Sequence, residues 1–137
     1  MNDIIVKPFN LTEKYRADLE ELLFQLSGKE RTLSLTNYPN TFAVGAFDAG
    51  RLIGFAQLFI LHKTTFIFAH LEDVIVHSDY RRQGIAKRIM EEIVSLAKSK
   101  NADRINLTVR KEREAAISLY EELGFISQET KVYRLEI

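Results

Sequence analysis

Apolar stretches, some continuous and some alternating with polar residues, predict six β-strands along the chain. Val, Ile, Leu and Phe are frequent in each stretch and polar or turn-forming residues separate them, which is the pattern of short strands in a folded domain. The predicted strands cover residues 4–9, 41–47, 52–61, 66–76, 105–109 and 131–137. Residues 48–51, Asp-Ala-Gly-Arg, predict a hairpin turn between the second and third strands.

Three other segments carry apolar residues at helical spacing. The first begins with Asn10 and Glu13, which resemble a capping box, and stops at Gly28, a residue suited to the left-handed end of a helix. The second starts at Ile85 and has a wide apolar stripe, and the third covers residues 114–123. We therefore predict three helices, each with one face turned to a core.

The order of these elements, β-α-β-β-β-α-β-α-β, predicts an α/β fold with one mixed sheet. The strand–helix–strand unit from 66 to 109 should form a right-handed crossover, which makes its two strands parallel. A chain of 137 residues favours a single domain, and no linker or repeat divides it, so we predict one domain over 1–137. Residues 29–40 are mostly polar and predict a loop or a broken helix.

Composition narrows the classes of function. With 46% hydrophobic and 28% charged residues the chain is not disordered. Its 19 basic and 19 acidic residues cancel, so the basic excess of a nucleic-acid-binding protein is missing. The absence of cysteine excludes disulfides, zinc–thiolate sites and a thiol nucleophile. Neither an apolar run of ~20 residues nor a signal peptide is visible, so we expect a soluble, cytoplasmic protein that does not bind membranes.

One basic segment stands where a strand passes into a helix. The first turn of a helix has unpaired N–H groups and a positive dipole end, which suit a phosphate, and Gly84 would let a ligand come close. The alternative is a helix start with a solvated basic face, since short motifs occur by chance. The residues of this predicted anion site are Arg81, Arg82, Gln83, Gly84, Ile85, Ala86 and Lys87.

Two motifs resemble those of one enzyme family. Arg81-x-x-Gly84-x-Ala86 resembles the Arg/Gln-x-x-Gly-x-Gly/Ala motif of the GNAT superfamily of N-acetyltransferases. Residues 116–125, Ala-Ile-Ser-Leu-Tyr-Glu-Glu-Leu-Gly-Phe, resemble the family's Ala-Ile-x-Leu-Tyr-x-x-x-Gly-Phe signature. Both motifs come in the family's order, and the predicted elements match over nearly the whole chain. The resemblance implies a single acetyltransferase domain with a mixed sheet of six to seven strands, helices on both faces and a splayed parallel strand pair.

The resemblance also implies a donor and a place for it. GNAT enzymes use acetyl-CoA and no metal, and bind it where the strands at 66–76 and 105–109 would part. The pantetheine would pair with the backbone of Val74, Ile75 and Val76 like an added strand, and the pyrophosphate would lie on N–H groups of residues 82–87. At Arg113 many members carry Asn, so this arginine either reaches a phosphate or faces water.

Tyr120 and Glu72 are the candidate catalytic residues. Tyr120 matches the family's usual general acid, since a phenol can give a proton to a thiolate with little imbalance; alternatively it only packs on the apolar face. Glu72 is the candidate base, and the alternative is a carboxylate paired with a nearby cation. Strand alternation predicts Glu72, Val74 and Val76 on one face. Asp73 either contacts the substrate or makes a structural hydrogen bond.

The three histidines lack the spacing of metal ligands. His62, His70 and His77 are each more readily explained as structural residues, although His70 lies on the same predicted face as Glu72 and could assist it. The sequence therefore predicts no metal site.

The acceptor is the least determined part of the prediction. Residues 70–76, with a Glu-Asp pair, look like the corresponding strand of the small glucosamine-6-phosphate N-acetyltransferases. Two acidic side chains favour a small molecule with a primary amine, to which the acetyl group would be transferred directly. The alternatives are a protein or peptide acceptor and a non-catalytic, CoA-binding regulatory module. Many members of the family pair into dimers, so a homodimer is also implied.

Overall fold

The computed structural model describes residues 3–137 as a mixed β-sheet with helices on both faces. Met1 and Asn2, which belong to the segment used to predict that no signal peptide is present, lie outside the described residues. The helices and strands, in chain order, are β1 (Ile4–Phe9), α1 (Arg16–Ser27), β2 (Thr41–Asp48), β3 (Arg51–His62), β4 (Ile67–Val76), α2 (Ile85–Ser99), β5 (Arg104–Leu107) and α3 (Glu114–Glu122). None of the helices in residues 3–137 is both long and apolar enough to cross a membrane.

The sheet has the order β1-β2-β3-β4-β5. Neighbouring strands are antiparallel as far as β4, and β5 runs parallel to β4, as the predicted crossover requires. Pairing between β4 and β5 begins at Phe68 with Arg104 and ends at Leu71 with Leu107, whereas β4 continues to Val76. The two parallel strands therefore part after Leu71, which confirms the predicted splayed pair.

Two apolar layers hold the sheet between the helices. α1 packs on one face, where its fully buried Leu22 joins Phe47 and Phe55 of the sheet. α2 packs on the other face through fully buried residues such as Ile89 and Ile93. Burying apolar side chains on both faces is the main stabilising contribution of such a three-layer arrangement.

An extra residue in β4 breaks the strand's alternation. Phe55 pairs with Ile75 and Gln57 pairs with Glu72, so one residue of β3 faces two of β4. This is a β-bulge, and Asp73 within it has a φ of 59°, in the left-handed region. A left-handed residue other than glycine costs on the order of 1 kcal/mol.

The bulge overturns the face assignment made from alternation. Leu71 and Val76 are five residues apart, yet both pack in the α2 layer, whereas Ile75 packs in the α1 layer. Glu72 follows Leu71 before the bulge and so lies on the α1 side of the sheet, together with Ile75. The prediction that Glu72 shares a face with Val74 and Val76 is wrong, because strict alternation has no place for an inserted residue.

The start of α1 also differs from the prediction. A single 3-10 turn, Glu13–Tyr15, precedes the helix and no side chain caps either of them. Glu13 does not reach back to Asn10, because its carboxylate binds the guanidinium of Arg16 at 2.6 Å. The predicted end is confirmed: Gly28 has a φ of 71° and its N–H donates to the carbonyl of Phe24.

The last predicted strand is absent. Residues 131–137 form no strand, so the sheet in residues 3–137 has five strands rather than six to seven. An alternating pattern shows that a segment suits a half-buried strand, but a strand also requires a neighbour for its backbone hydrogen bonds. No strand of the described chain pairs with these residues.

Candidate active site

The connection between β4 and α2 is fastened to α1 through His77. This side chain is buried, and its Nδ1 accepts the N–H of Asp79 at 3.1 Å, at the start of the 3-10 turn Ser78–Tyr80. Because Nδ1 is an acceptor, Nε2 carries the hydrogen and donates to Glu21 at 2.8 Å. That hydrogen bond holds the pKa of Glu21 below its usual value. His77 thus has the structural role expected for it and fixes the loop that leads to α2.

The start of α2 has the shape of an anion site. Arg82 and Gly84 have φ values of 63° and 74°, so the chain turns twice through the left-handed region just before the helix. No side chain among the described residues caps α2. A Cβ placed on Gly84 would meet nothing within 4 Å, so the space in front of the helix is open. Unpaired N–H groups of a 15-residue helix face that space, an environment that fits a pyrophosphate.

The basic side chains of this segment do not converge on that space. Arg81 donates from Nε to the carbonyl of Val76 at 3.1 Å, and Arg88 donates to the carbonyl of Ile4. Lys87 pairs with Glu122 of α3 at 2.9 Å, and this contact raises its pKa. Among the four cations of residues 81–88, only Arg82 has no such contact within the described chain. Recognition of an anion here would therefore rest mainly on the backbone.

The remaining residues of the predicted donor site would also contact a ligand mainly through their backbones. Ile85 is buried in the α2 layer and Ala86 is half-buried against it, so neither side chain faces a ligand. Gln83 is exposed. On β4, the side chain of Ile75 is buried in the α1 layer.

A small cavity of about 110 Å³ lies where β4 and β5 part. It brings together four of the predicted functional side chains, two from β4, one from α3 and one from the N-terminal end of α3. The lining residues are Leu26, Leu71, Glu72, Asp73, Val74, Leu107, Thr108, Arg113 and Tyr120. Glu72 and Tyr120, predicted as base and acid and 48 positions apart in sequence, thus line one cavity.

Tyr120 belongs both to the core and to the cavity. It is 7% exposed, and its ring centroid lies 5.7 Å from that of Phe125. Burial raises the pKa of Tyr120, and the charge of Arg113 opposes that shift. The Tyr120 hydroxyl makes no hydrogen bond within residues 3–137. Every fully buried polar side-chain atom in these residues does make one, so the hydroxyl must be partly accessible. Tyr120 thus packs on the apolar face, and its role as a general acid stays a prediction.

Glu72 is hydrogen-bonded to His70, at 2.7 Å between Oε1 and Nε2. Both side chains are partly exposed, with 46% and 30% of their surfaces accessible. The sequence favoured a structural role for His70 but also predicted that it shares a face with Glu72 and could assist it; the hydrogen bond confirms that the two side chains meet. Among the described residues, Glu72 is thus paired with a histidine and not with a lysine or arginine.

Asp73 is a carboxyl of the cavity whose pKa lies above its usual value. Burial raises the pKa, the negative charge of Glu72 raises it further, and the positive charge of Arg31 opposes both. Arg31 lies in the loop 29–40 and also lines a larger cavity of about 490 Å³ between that loop and α1. The loop therefore approaches the small cavity from the α1 side of the sheet.

Comparison with known proteins identifies the family. The model of the Acetyltransferase (GNAT) family matches residues 8–125. The chain belongs to the GNAT acetyltransferase family. Among curated GNAT relatives, a glucosamine 6-phosphate N-acetyltransferase of Trypanosoma brucei brucei is 32% identical over 91 residues, 64% of this chain and 59% of that protein. An N-alpha-acetyltransferase of Mycobacterium tuberculosis is 30% identical over 87 residues, 64% of this chain and 53% of that protein. The chain thus spans between half and three fifths of the length of these two relatives.

Solved structures confirm the GNAT fold. A Trypanosoma brucei acetyltransferase has a TM-score of 0.80 and 24% identity, with 98% of this chain and all of that chain covered. An aminoglycoside acetyltransferase from an uncultured soil sample, in complex with sisomicin, has a TM-score of 0.83 and 15% identity over 98% and 95% of the two chains. Residues 3–137 contain no group of three His, Asp or Glu side chains that could hold a metal ion.

The raised pKa of Asp73 predicts a pH-dependent cost to the stability of this GNAT domain. Its folded pKa lies above the unfolded value of 3.8, so the folded state takes up a proton first as the pH falls. The destabilisation is therefore full at neutral pH and disappears as the pH falls toward 3.8. Asp73→Asn should raise the midpoint of thermal unfolding at pH 7, by a margin that shrinks at acidic pH.

Asp3→Asn, at an exposed position, is the matched control and should show no such margin. Asparagine also tolerates a left-handed φ, which would add a gain that does not vary with pH. A gain from Asp73→Asn that stays constant between pH 7 and pH 4 would assign the effect to the backbone alone.

Proposed function

We propose that the protein transfers an acetyl group from acetyl-CoA directly to the primary amine of a small molecule. The observation that carries this proposal is the cavity at the parting of β4 and β5, because Glu72 and Tyr120 both line it. Acetyl transfer to an amine requires a group that takes a proton from the amine and a group that gives one to the leaving thiolate. The two side chains are of the types that these steps require.

The donor would lie along the α2 side of the site. Its pyrophosphate would bind the N–H groups at the start of α2, with Arg82 as the nearest cation free to contact it. Its pantetheine would pair with the open side of β4 at residues 74–76, where β5 no longer covers the strand. The carbonyl of Val76 already accepts a hydrogen bond from Arg81, so we assign Arg81 to shaping this strand end rather than to contacting a phosphate.

The chain's own groups would move the protons. When bound, acetyl-CoA supplies the activated acetyl group. Glu72 accepts a proton from the amine. His70, which is hydrogen-bonded to Glu72, would pass that proton on toward solvent. Tyr120 holds its proton on a hydroxyl that burial keeps un-ionised, and that opens to the cavity. Arg113, at the N-terminal end of α3, would help orient the tyrosine or contact the donor.

The acceptor is proposed to be a small cation. Glu72 and Asp73 give the cavity two carboxyl groups, which attract an ammonium, and its volume of about 110 Å³ leaves little room for a polypeptide. The name of the trypanosomal relative, a glucosamine 6-phosphate N-acetyltransferase, agrees with a small acceptor. The names of other relatives, N-alpha-acetyltransferases, favour a protein or peptide instead. This second candidate draws support from the larger groove of about 490 Å³ beside α1.

A screen of acceptors distinguishes these possibilities. Release of CoA from acetyl-CoA should be measured with amino sugars, polyamines, aminoglycosides and short peptides with free N-termini. Turnover with small amines is expected. Acetylation of peptides alone would replace the small-molecule proposal with the second candidate, and binding of acetyl-CoA without release by any acceptor would support a non-catalytic, CoA-binding module.

Gly84→Glu should weaken binding of acetyl-CoA at least tenfold, about 1.4 kcal/mol, because a carboxylate would stand against the pyrophosphate. Gly84→Ala is the matched control: it brings the same left-handed backbone strain without charge, and its Cβ has open space. Isothermal titration calorimetry measures both. Unchanged affinity in the glutamate variant would move the donor site elsewhere, and an equal loss in both variants would assign the effect to the backbone.

Tyr120→Phe should retain the fold and donor binding but lower kcat by about 10²–10⁴-fold, the usual contribution of general acid catalysis. Its ring packing is preserved, since only a hydroxyl without a protein partner is removed. Tyr15→Phe, which makes the same chemical change among the rings of Phe9 and Phe47, is the control. Equal turnover of wild type and Tyr120→Phe, with chemistry limiting, would exclude Tyr120 from the mechanism.

Glu72→Gln should slow the reaction most at neutral pH, by about 10²-fold, because a small amine arrives there as an ammonium. The loss should shrink as the pH approaches the pKa of the amine, where a base is no longer needed. The pH dependence of kcat/KM for wild type and variant decides this, with Glu129→Gln as an exposed control. A constant ratio from roughly pH 6.5 to 9.5 would mean that Glu72 only positions the acceptor.

A further inference from the structure

The cavity at the parting of β4 and β5 contains a second hydroxyl group besides that of Tyr120. Thr108 lines this cavity together with Glu72 and Asp73. The residue is exposed, and its side chain makes no hydrogen bond with any of residues 3–137. A threonine hydroxyl can accept two hydrogen bonds and donate one. All of this capacity is therefore open to a molecule bound in the cavity.

Strand pairing places Thr108 level with Glu72. The last pair between the two parallel strands is Leu71 with Leu107. The next residues along the chain, Glu72 in β4 and Thr108 directly after β5, therefore stand on opposite sides of the gap that opens there. Because both also line the cavity, a carboxylate and a hydroxyl enter it from the two parted strands.

The side chain of Thr108 lies on the α1 side of the sheet. Ile105, Leu107 and Val109 pack against the α2 layer and are partly buried. Thr108 stands between the last two of them and is exposed, so its side chain leaves the backbone on the other side. Glu72 lies on that same side. The hydroxyl therefore faces an acceptor held by Glu72, away from the proposed donor on the α2 side.

We propose that Thr108 orients the acceptor nitrogen and makes the site selective for primary amines. This inference rests on the proposed acetyl transfer at the same cavity. The Thr108 hydroxyl accepts a hydrogen bond from one N–H of the amine, while Glu72 takes a proton from another. Held at both points, the nitrogen directs its lone pair toward the acetyl carbon, and such orientation is a large part of what an enzyme contributes to a reaction between two bound molecules.

The hydrogens on the acceptor nitrogen give the physical reason for this selectivity. A primary ammonium loses one proton to Glu72 before the attack and a second once the bond from nitrogen to the acetyl carbon has formed. The bond from that carbon to sulfur breaks, and the thiolate takes the proton of Tyr120. One of the two protons lost from nitrogen restores Tyr120, and the other passes to solvent.

The third hydrogen stays on the amide nitrogen of the product, and this is the one that Thr108 binds. In an N-methyl amine a methyl group takes its place, so the hydrogen bond is lost and the methyl group meets the hydroxyl. A site that hydrogen-bonds an N–H of its substrate discriminates against an analogue without it, because the polar group of the site is left unpaired.

Thr108→Val removes the hydroxyl and keeps the shape of the side chain. With the primary amine that gives the highest kcat/KM in the acceptor screen, we expect kcat/KM to fall about tenfold, the effect of losing one hydrogen bond to a substrate. With the N-methyl derivative of that amine, kcat/KM is low in the wild type and should change by less than about twofold. Thr108→Ser retains a hydroxyl and should keep the preference for the primary amine. Thr65→Val, the same chemical change at an exposed position between β3 and β4, is the matched control and should behave like the wild type.

The pH dependence separates the role of Thr108 from that of Glu72. A threonine hydroxyl does not titrate, so the loss in Thr108→Val should be constant from roughly pH 6.5 to 9.5, whereas the loss in Glu72→Gln should shrink as the pH rises. Calorimetric titration with acetyl-CoA should give the same affinity for the wild type and Thr108→Val, because the hydroxyl lies on the side away from the proposed donor.

The outcomes distinguish this inference from the proposed function. Turnover of the primary amine that is equal in the wild type and Thr108→Val, or an equal loss with both amines, would remove Thr108 from recognition of the acceptor and leave the proposed function standing. Weaker binding of acetyl-CoA to Thr108→Val would assign the hydroxyl to the donor and overturn the inference in the same way. A wild type that releases no CoA with any amine would refute the proposed function and the inference together.

Discussion

The β-bulge at Asp73 is the feature on which the geometry of the site depends. By inserting one residue, it places Glu72 on the α1 side of the sheet while Val74 and Val76 remain on the α2 side. It also lies directly beyond the last pair formed between β4 and β5, at Leu71. The left-handed conformation of Asp73 lowers stability by on the order of 1 kcal/mol. Burial of the same residue raises the pKa of its carboxyl, which is a second destabilising contribution. The strand tolerates both destabilising contributions because it is paired with β3 on either side of the bulge and packed on both faces.

The start of α2 depends on a second set of contacts that lies away from any ligand. Buried His77 ties the loop to Glu21 of α1, and the carbonyl of Val76 is held by Arg81. Lys87 binds α3 and Arg88 binds β1. These basic side chains therefore connect the elements around the helix start and do not occupy the space in front of it. What remains open toward solvent is backbone, shaped by the two left-handed residues. A pyrophosphate site built in this way would be stiff, because its donors are fixed by the fold and not by long side chains.

Periodicity and glycine positions were enough to predict the order of the elements from β1 to α3, the parallel strand pair and the end of α1 at Gly28, since each follows from local spacing. The bulge was not predictable, because alternation assumes one residue per step and an Asp in a strand gives no sign of a left-handed φ. The side chains of Lys87 and Arg88 bind residues that are 35 and 84 positions away in sequence, so local patterns could not predict these contacts. The strand predicted at residues 131–137 is absent, because local alternation does not show whether a neighbouring strand is present to take up the backbone hydrogen bonds.

The two faces of β4 give the proposed reaction its direction. Tyr120 belongs to the α2 layer, on the side where the helix start and the open strand edge would hold the donor. Glu72 lies on the α1 side, where Arg31 and the loop 29–40 approach Asp73. An acceptor entering from the α1 side would thus meet its base first and the acetyl carbon next, with the proton donor for the departing thiolate beyond it. Both side chains reach the cavity where the strands part, from opposite sides of the sheet. The parting of β4 and β5 is what joins the two sides, because only there can an amine reach across the plane of the sheet.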